Sequence, residues 1–330
     1  YAAVSESVKL VKKIKPQMSG FVNAVLRKLS DNKSDIDYPA GDSAYALSIR
    51  HSYPEWICQK FIDEYDVAFT KDLLSYQGDK GTSVRDNTII DGSLTDELDR
   101  LSLSYEPGEI EDSYVIQGLS GIENLELFTS GKIAVQSKSA MKAVLAARIS
   151  EGDKLLDCCA APGGKSAYAA ALCDNSINIV AWDIHEHRVD MTNANFKRLG
   201  VKNAKAVLHD ACSPEPCLYD KFDVVMVDAP CSAMGLMTRN PDIRYTRKQS
   251  DIDSLAKKQL EILGTCAAYV KKGGTLAYYT CSINKQENEQ VTEEFLESNK
   301  HFEYIETPQT LYPHIEDSDG FYIAVMRRLS

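Results

Sequence analysis

Residues 154–165 read Lys-Leu-Leu-Asp-Cys-Cys-Ala-Ala-Pro-Gly-Gly-Lys. The apolar run predicts a strand over 154–159; the small residues, proline and two glycines predict a loop, and the segment after Lys165 a helix. In an open α/β sheet, ligands bind beyond the carboxyl ends of strands near the point where strand order reverses, and glycines there admit close backbone approach. The loop is neither G-x-G-x-x-G nor G-x4-G-K-[ST], so dinucleotide and triphosphate ligands are disfavoured and a nucleotide-like ligand remains. Taken alone, Gly163-Gly164 also suits a tight turn.

Working outward, further strand-like runs lie at 177–183, 204–210, 222–228 and 275–280, separated by amphipathic helical patterns such as 186–199 and 251–269. Strand, helix and strand repeated this way give a parallel sheet covered on both faces. The run 320–328 alternates apolar residues after a glycine and predicts an edge or penultimate strand. N-terminal to this α/β region, 1–75 reads as helical throughout. Residues 83–90 and 114–117 read as extended around a helix at 94–101, a small α+β pattern. The expected division is 1–35, 36–75, 76–130 and 131–330.

Carboxylates stand at three expected strand ends. Asp183 falls 20 residues after Gly163, where a carboxylate can accept both ribose hydroxyls; Asp210 and Asp228 end the next two strands. One such aspartate usually caps a helix, whereas three on the edge that carries the glycine loop favour a cofactor site. Cys231 follows in Asp228-Ala229-Pro230-Cys231-Ser232, and Cys281 in Thr280-Cys281-Ser282. Both project from that same edge. Cys58, Cys173 and Cys266 read as core residues. Two thiols and an aspartate beside a nucleoside-type cofactor point to nucleophilic catalysis on an electrophilic ring.

Composition sets the bounds. The 330 residues are 44% hydrophobic and 26% charged, which fits a globular chain with real cores, and no apolar run is long enough for a membrane helix. No signal pattern is seen, and the chain opens at Tyr1 in mid-helical pattern, as a piece of a longer protein would. Nine cysteines without a C-x2-C pair make neither a disulfide framework nor a zinc site, and no metal is expected; free thiols in that number point to a reducing cytoplasm. The net charge is −11, yet 7–30 holds six Lys or Arg and no carboxylate, and 239–248 holds four against one Asp. Each basic cluster reads either as a solvated helix face or as a nucleic-acid contact.

These residues carry a family resemblance. The runs 157–165, 228–235, Asn240-Pro241-Asp242-Ile243, Thr280-Cys281-Ser282 with Glu287-Asn288, and Asp319-Gly320-Phe321 resemble the NOL1/NOP2/Sun RNA (cytosine-5)-methyltransferases, most closely the bacterial small-subunit ribosomal RNA branch. Residues 20–27 are similar to the end of that branch's NusB-like RNA-binding domain. The resemblance implies a Rossmann-like class I methyltransferase sheet, preceded by a small α+β module and an all-α NusB-like remnant. It implies S-adenosylmethionine, held by Cys159, Ala160, Ala161, Pro162, Gly163, Gly164 and Lys165, by Asp183 at the ribose, by Asp210 near the adenine, and by Asp228.

It implies Cys281 as the thiol that adds to carbon 6 of a cytosine in 16S ribosomal RNA, Cys231 as the residue that assists product release, and Asp228 at the base edge. Lys165 reads either as positive charge near the thiols or cofactor, or as a solvated first-turn residue. The rival assignment makes Cys231 the nucleophile, as the Pro-Cys thiol is in DNA enzymes; the Thr-Cys-Ser motif favours Cys281. Competing functions are a catalytically idle RNA-binding assembly factor, an enzyme acting on another RNA such as tRNA, and a small-molecule methyltransferase. The expected partner is small-subunit ribosomal RNA presenting an unpaired or flipped cytosine to a monomer, with no membrane contact. The stretch 9–28 and the module around Arg85 and Asn87 are expected to grip RNA backbone, and Arg239, Arg244 and Arg247 lie close in sequence to Cys231. Four positions depart from the family pattern and bear on substrate fit: Ser137 for Asp, Asn240 for His, and Lys285-Gln286 for Pro-Glu.

Overall fold

The computed structural model describes residues 2–78, 81–119 and 121–330; Tyr1, Asp79, Lys80 and Ser120, which fall in the expected ranges 1–35 and 76–130, lie outside the described residues. The chain divides into two compact units, 1–58 and 59–330.

The first unit holds α1 (Ala2–Ile14), α2 (Ser19–Asp31) and α3 (Ala44–His51), and α4 (Glu55–Glu64) carries the division. Neither α1 nor α2 has a buried residue. Lys9, Lys12 and Arg27 line a groove between these two helices, with Asn23 among them. Ser43 caps α3 by accepting from the Ala46 N–H at 3.2 Å.

The second unit opens with α5 (Val67–Ser75), whose N-cap Asp66 accepts from Phe69 N–H. A small module follows: β1 (Gly81–Asp86), α6 (Leu94–Arg100), β2 (Tyr105–Pro107), β3 (Ser113–Gln117), α7 (Glu126–Thr129) and β4 (Ile133–Val135). Its antiparallel sheet has the order β2-β3-β1-β4 over a core of Val84, Leu94, Leu98, Ile116, Leu127 and Ile133. The extended run expected over 83–90 ends at Asp86, because residues 88–90 turn and Ile90 N–H closes on Asn87 O. The fourth strand comes from beyond residue 130.

The large sheet is built from β5 (Lys154–Asp157), β6 (Asn178–Asp183), β7 (Ala204–Leu208), β8 (Phe222–Asp228), β9 (Val270–Thr280), β10 (Phe302–Tyr304), β11 (Gln309–Leu311) and β12 (Phe321–Arg328). Interleaved are α8 (Lys138–Ala146), α9 (Gly164–Leu172), α10 (Glu186–Arg198), α11 (Ile243–Thr246), α12 (Gln249–Ala267), α13 (Glu289–Ser298) and α14 (Pro313–Glu316). The order is β10-β12-β9-β8-β5-β6-β7, with β11 also on β12. Strands β9-β8-β5-β6-β7 are parallel, and β12 enters antiparallel beside β9 as the penultimate strand. The sheet is the expected Rossmann-like one, parallel over five strands and mixed at one edge, where the short excursion through β10, β11 and α14 returns the chain in the reverse direction.

Alternation along the strands sends side chains to two cores. Leu156, Val225, Val227 and Tyr278 pack with Ile262, Leu263 and Cys266 of α12 and Phe295 of α13. Leu155, Val224, Met226 and Tyr279 pack with α8 and α9 on the other face, joined there by Cys173. Cys58, Cys173 and Cys266 are buried, as core thiols should be. Strand order reverses between β5 and β8, which places the binding crevice at their carboxyl ends.

Candidate active site

The β5 strand ends at Asp157, two residues earlier than expected, and the loop continues the ladder with single bonds: Cys158 N–H to Met226 O and Ala160 N–H to Trp182 O. Gly163 then closes a tight turn onto Ala160 O and starts α9 at φ +88°. An added Cβ there would stand 2.8 Å from Thr192 Cγ2 and 3.0 Å from Phe196 Cε1, so α10 and the left-handed backbone both demand glycine.

A cavity of about 360 Å³ opens at the carboxyl ends of β5, β6 and β8. Of the expected cofactor residues, Cys159, Ala161, Asp183, Asp210 and Asp228 line it, and so do Cys231 and Cys281. Ala160, Pro162, Gly163, Gly164 and Lys165 do not; they shape the loop and the helix start behind it. Cys158, Ala229 and Pro230 of the quoted motifs line it too, and the sequence reading missed Ile184, Arg188, His209, Ala211, Lys258 and Ile262, which complete the lining. The signal lay in the residues next to strand-end aspartates, and for Lys258 and Ile262 in the face α12 turns to the sheet.

The aspartates divide their work. Asp183 is buried, accepts from His185 N–H at 3.0 Å and pairs with Arg188 at 3.4 Å. Asp210 lies two residues past β7 rather than at its end; His209 intervenes, its ring 4.0 Å from that of Trp182. Asp210 accepts from Cys212 N–H at 3.0 Å, so it braces its own turn and lines the cavity too. Asp228 receives the Lys165 ammonium at 2.6 Å. Lys165 is therefore a paired, largely buried cation and not a solvated first-turn residue. Burial alone would depress its pKa, but the Asp228 charge and hydrogen bond outweigh it and raise the ammonium above the ordinary lysine value, with Asp157 and Cys281 adding to the effect.

Cys231 and Cys281 leave the adjacent parallel strands β8 and β9, and their Sγ atoms stand 3.0 Å apart. The Cys281 hydrogen bond first, then burial and the Cys281 charge, push the Cys231 thiol well above the ordinary cysteine range. The glycine motifs hold these loops together: Gly235 N–H donates to Cys281 O and Gly320 N–H to Gly235 O. A Cβ on Gly235 would overlap Gly320 O, at 2.2 Å. Phe321 follows, its ring 5.1 Å from Lys165 Nζ.

Two residues of the module expected to grip RNA do other work. Arg85 and Asn87 are 1% and 0% exposed. The Arg85 guanidinium donates to Gln136 Oε1 and Asp86 O and lies over the Tyr168 ring at 4.7 Å, while Asn87 Nδ2 donates to Gly131 O and Leu199 O. They seat the small module on the large sheet and have no surface to offer a phosphate. Arg244 and Arg247 donate to Met237 O and Ser232 O, fixing the loop after Cys231, and Arg239 pairs with Asp319. The departures from family pattern also have structural duties: Ser137 caps α8 through Ala140 N–H, Asn240 N–H bonds Leu236 O, Gln286 bridges to Asp253, and Lys285 lies over Tyr65. Among the described residues, no group of three or more His, Cys, Asp or Glu is arranged to hold a metal, and no helix is long and apolar enough to cross a membrane.

A doubly wound sheet with this carboxylate-lined crevice suits an S-adenosylmethionine-dependent methyltransferase, the class that the family match assigns. Residues 144–327 match the family described as 16S rRNA methyltransferase RsmB/F. The probable ribosomal RNA small subunit methyltransferase B of Bacillus subtilis is 30% identical over 99% of this chain and 78% of its own length. The structure of PH0851 superposes with a TM-score of 0.83 at 25% identity, over 96% of this chain and 75% of that one. NSun6 from Pyrococcus horikoshii, solved with SFG, shares the fold at a TM-score of 0.78 and 20% identity, over 85% of this chain and 99% of that one. The chain belongs to the RsmB/F family of rRNA methyltransferases.

Proposed function

We propose that this chain methylates carbon 5 of a cytosine in 16S ribosomal RNA through a covalent cysteine–RNA intermediate. The observation that carries this reading is the facing pair of thiols, 3.0 Å apart, at a cavity that Asp228 also lines. S-adenosylmethionine, when bound, supplies the methyl group from its sulfonium centre. The lining fits it: Asp183 holds the ribose, Asp210 and the apolar Ile184, Ala211 and Ile262 take the adenine, and Cys159, Ala161 and Asp228 bound the methionine end, with Ala160, Pro162, Gly163, Gly164 and Lys165 shaping the loop and helix start behind them.

Carbon 5 of cytosine is a weak nucleophile until a thiolate adds at carbon 6. The Cys281 sulfur forms that bond, and Asp228 hydrogen-bonds the base edge where charge and a proton gather on the ring nitrogen. Lys165 holds Asp228 in place. After methylation the proton on carbon 5 leaves and the bond to Cys281 Sγ breaks, restoring the aromatic ring and the free thiolate. Cys231 assists this elimination. Its Sγ, 3.0 Å from Cys281 Sγ, stands beside the bond that breaks.

The base must leave any stack to reach thiols in a cleft, so the substrate presents an unpaired or flipped cytosine to a monomeric enzyme of the cytoplasm. The groove of Lys9, Lys12 and Arg27, in a NusB-like remnant over 1–35, holds RNA backbone; 36–75 links it to the small module, which runs on to β4 at Val135, and the residues after β4 are catalytic.

The test is a denaturing gel of wild type, Cys231→Ala and Cys281→Ala after incubation with 16S ribosomal RNA and S-adenosylmethionine. A covalent band that accumulates in Cys231→Ala and is absent from Cys281→Ala is expected. A band only in Cys281→Ala reverses the thiol roles. No band and no methyl transfer in any variant, wild type included, removes the reading in favour of an RNA-binding assembly factor or another RNA substrate.

A further inference from the structure

Behind the two thiols lies a carboxylate that the chemistry above does not use. Glu287, in the loop between β9 and α13, is fully buried. Its Oε1 accepts from Ser232 N–H at 2.8 Å and from Gln259 Nε2 at 3.0 Å; its Oε2 accepts from Ser232 Oγ and Asn284 Nδ2, both at 2.5 Å. All four donors are neutral. A buried carboxylate is costly unless its lone pairs are filled, so four directed donors are what permits it here.

The donors come from both sides of the site. Ser232 directly follows Cys231, and Gln259 Nε2 also donates to Pro230 O at 2.9 Å, so the residues flanking Cys231 are both held. On the other side, Asn284 Nδ2 reaches Ser282 Oγ at 2.7 Å, next to Cys281, and Ser282 Oγ meets Ser232 Oγ at 3.2 Å. Tyr278 of β9 anchors the Glu287 backbone by donating to its carbonyl at 2.7 Å. We infer that Glu287 is a positioning residue, which buckles the loop after β8 to the loop after β9 and sets the spacing of Cys231 and Cys281.

This rests on the covalent reading only for its effect on rate; the spacing can be read by itself. Phenylarsine oxide bridges two neighbouring thiols, forming two As–S bonds and releasing water. Wild type should give a bridged peptide pair containing Cys231 and Cys281. Glu287→Gln and Glu287→Ala should lose most of that bridging and lower kcat about 10- to 100-fold, with the glutamine variant less affected because it keeps one acceptor. Affinity for S-adenosylmethionine should stay within about twofold, since Glu287 does not line the cavity. Bridging that depends on Glu287 supports the inference even where no RNA adduct forms in wild type. Folded variants with bridging and kcat both within about twofold of wild type would overturn it. If the Glu287 variants aggregate, Ser232→Ala and Asn284→Ala, each removing a donor to Oε2, decide it by the same two readouts.

Discussion

Lys165 Nζ, from the first turn of α9, stands 2.6 Å from Asp228 Oδ2 at the end of β8, so the glycine loop and the thiol-bearing strand are joined by one ion pair. The pair is mostly out of water, with side chains 15% and 28% exposed, so removing either partner strands the other. Lys165→Met and Asp228→Asn should each cost about 1–3 kcal/mol in denaturant unfolding. Each should also lower methyl transfer by about 10²-fold or more. The double variant should lose less than the sum of the singles in both measurements; additive losses would show that the two groups act separately.

Gly163 and Gly164 adjoin but do different work. Gly163→Ala places a Cβ against Thr192 and Phe196 in a left-handed backbone and should cost about 2–4 kcal/mol in thermal or urea unfolding. Gly164→Ala meets nothing within 4 Å and should change stability by no more than about 0.5 kcal/mol. Equal losses would mean that the loop, rather than its contact with α10, sets the requirement.

Much of this site was legible because its residues fall where strand periodicity stops. Asp183 and Asp228 end apolar runs, and the cysteine loops begin there, so alternation and the order of motifs place them on one edge. What was not legible depends on packing across the chain. The run expected from residue 275 begins at Val270, because Phe222 of β8 pairs with Val270 before a register shift brings Val224 beside Thr275. The direction of β12 depends on a return path through three-residue strands, too short to show a period. Glu287 read as one letter of a motif; its four donors come from segments up to 55 residues away. Arg85 and Asn87 read as surface because charge and amide usually are. Only the tertiary structure reveals the carbonyls and the Tyr168 ring against which they are buried.

The burial of Arg85 separates it from the exposed cations. Burial lowers its guanidinium to about 10, and it fills space among Gln136, Asp86 and Tyr168. Arg85→Ala should cost about 2–4 kcal/mol by loss of packing and of two hydrogen bonds, while leaving RNA affinity of the folded protein unchanged. Lys12→Glu with Arg27→Glu, in the open groove of α1 and α2, should do the reverse: stability near wild type, and RNA binding weaker with a shallower salt dependence. A gel-shift titration at two salt concentrations, beside a melt, reads both.

Asp157 gives the protein a pH signature. It is buried at the end of β5, accepts from Ser166 Oγ at 2.6 Å on one oxygen, and its Oδ1 has no hydrogen-bond partner among the described residues. Burial raises its pKa from 3.8 to about 6, with the nearby Asp228 adding to the rise and Ser166 and Lys165 opposing it. A carboxyl whose folded value is raised holds its proton more tightly in the native state. The cost of its charge is absent below the unfolded value near pH 4 and fully present above about pH 6. Asp157→Asn removes that titration. The stability of the variant relative to wild type should therefore move in the variant's favour as pH rises from about 4 to about 6, by up to about 3 kcal/mol, and stay level above that. Other titrating groups cancel in the difference. Urea unfolding of both proteins across pH 4 to 8 measures it, and a flat difference would mean that Asp157 is ionised throughout, its charge carried by Lys165.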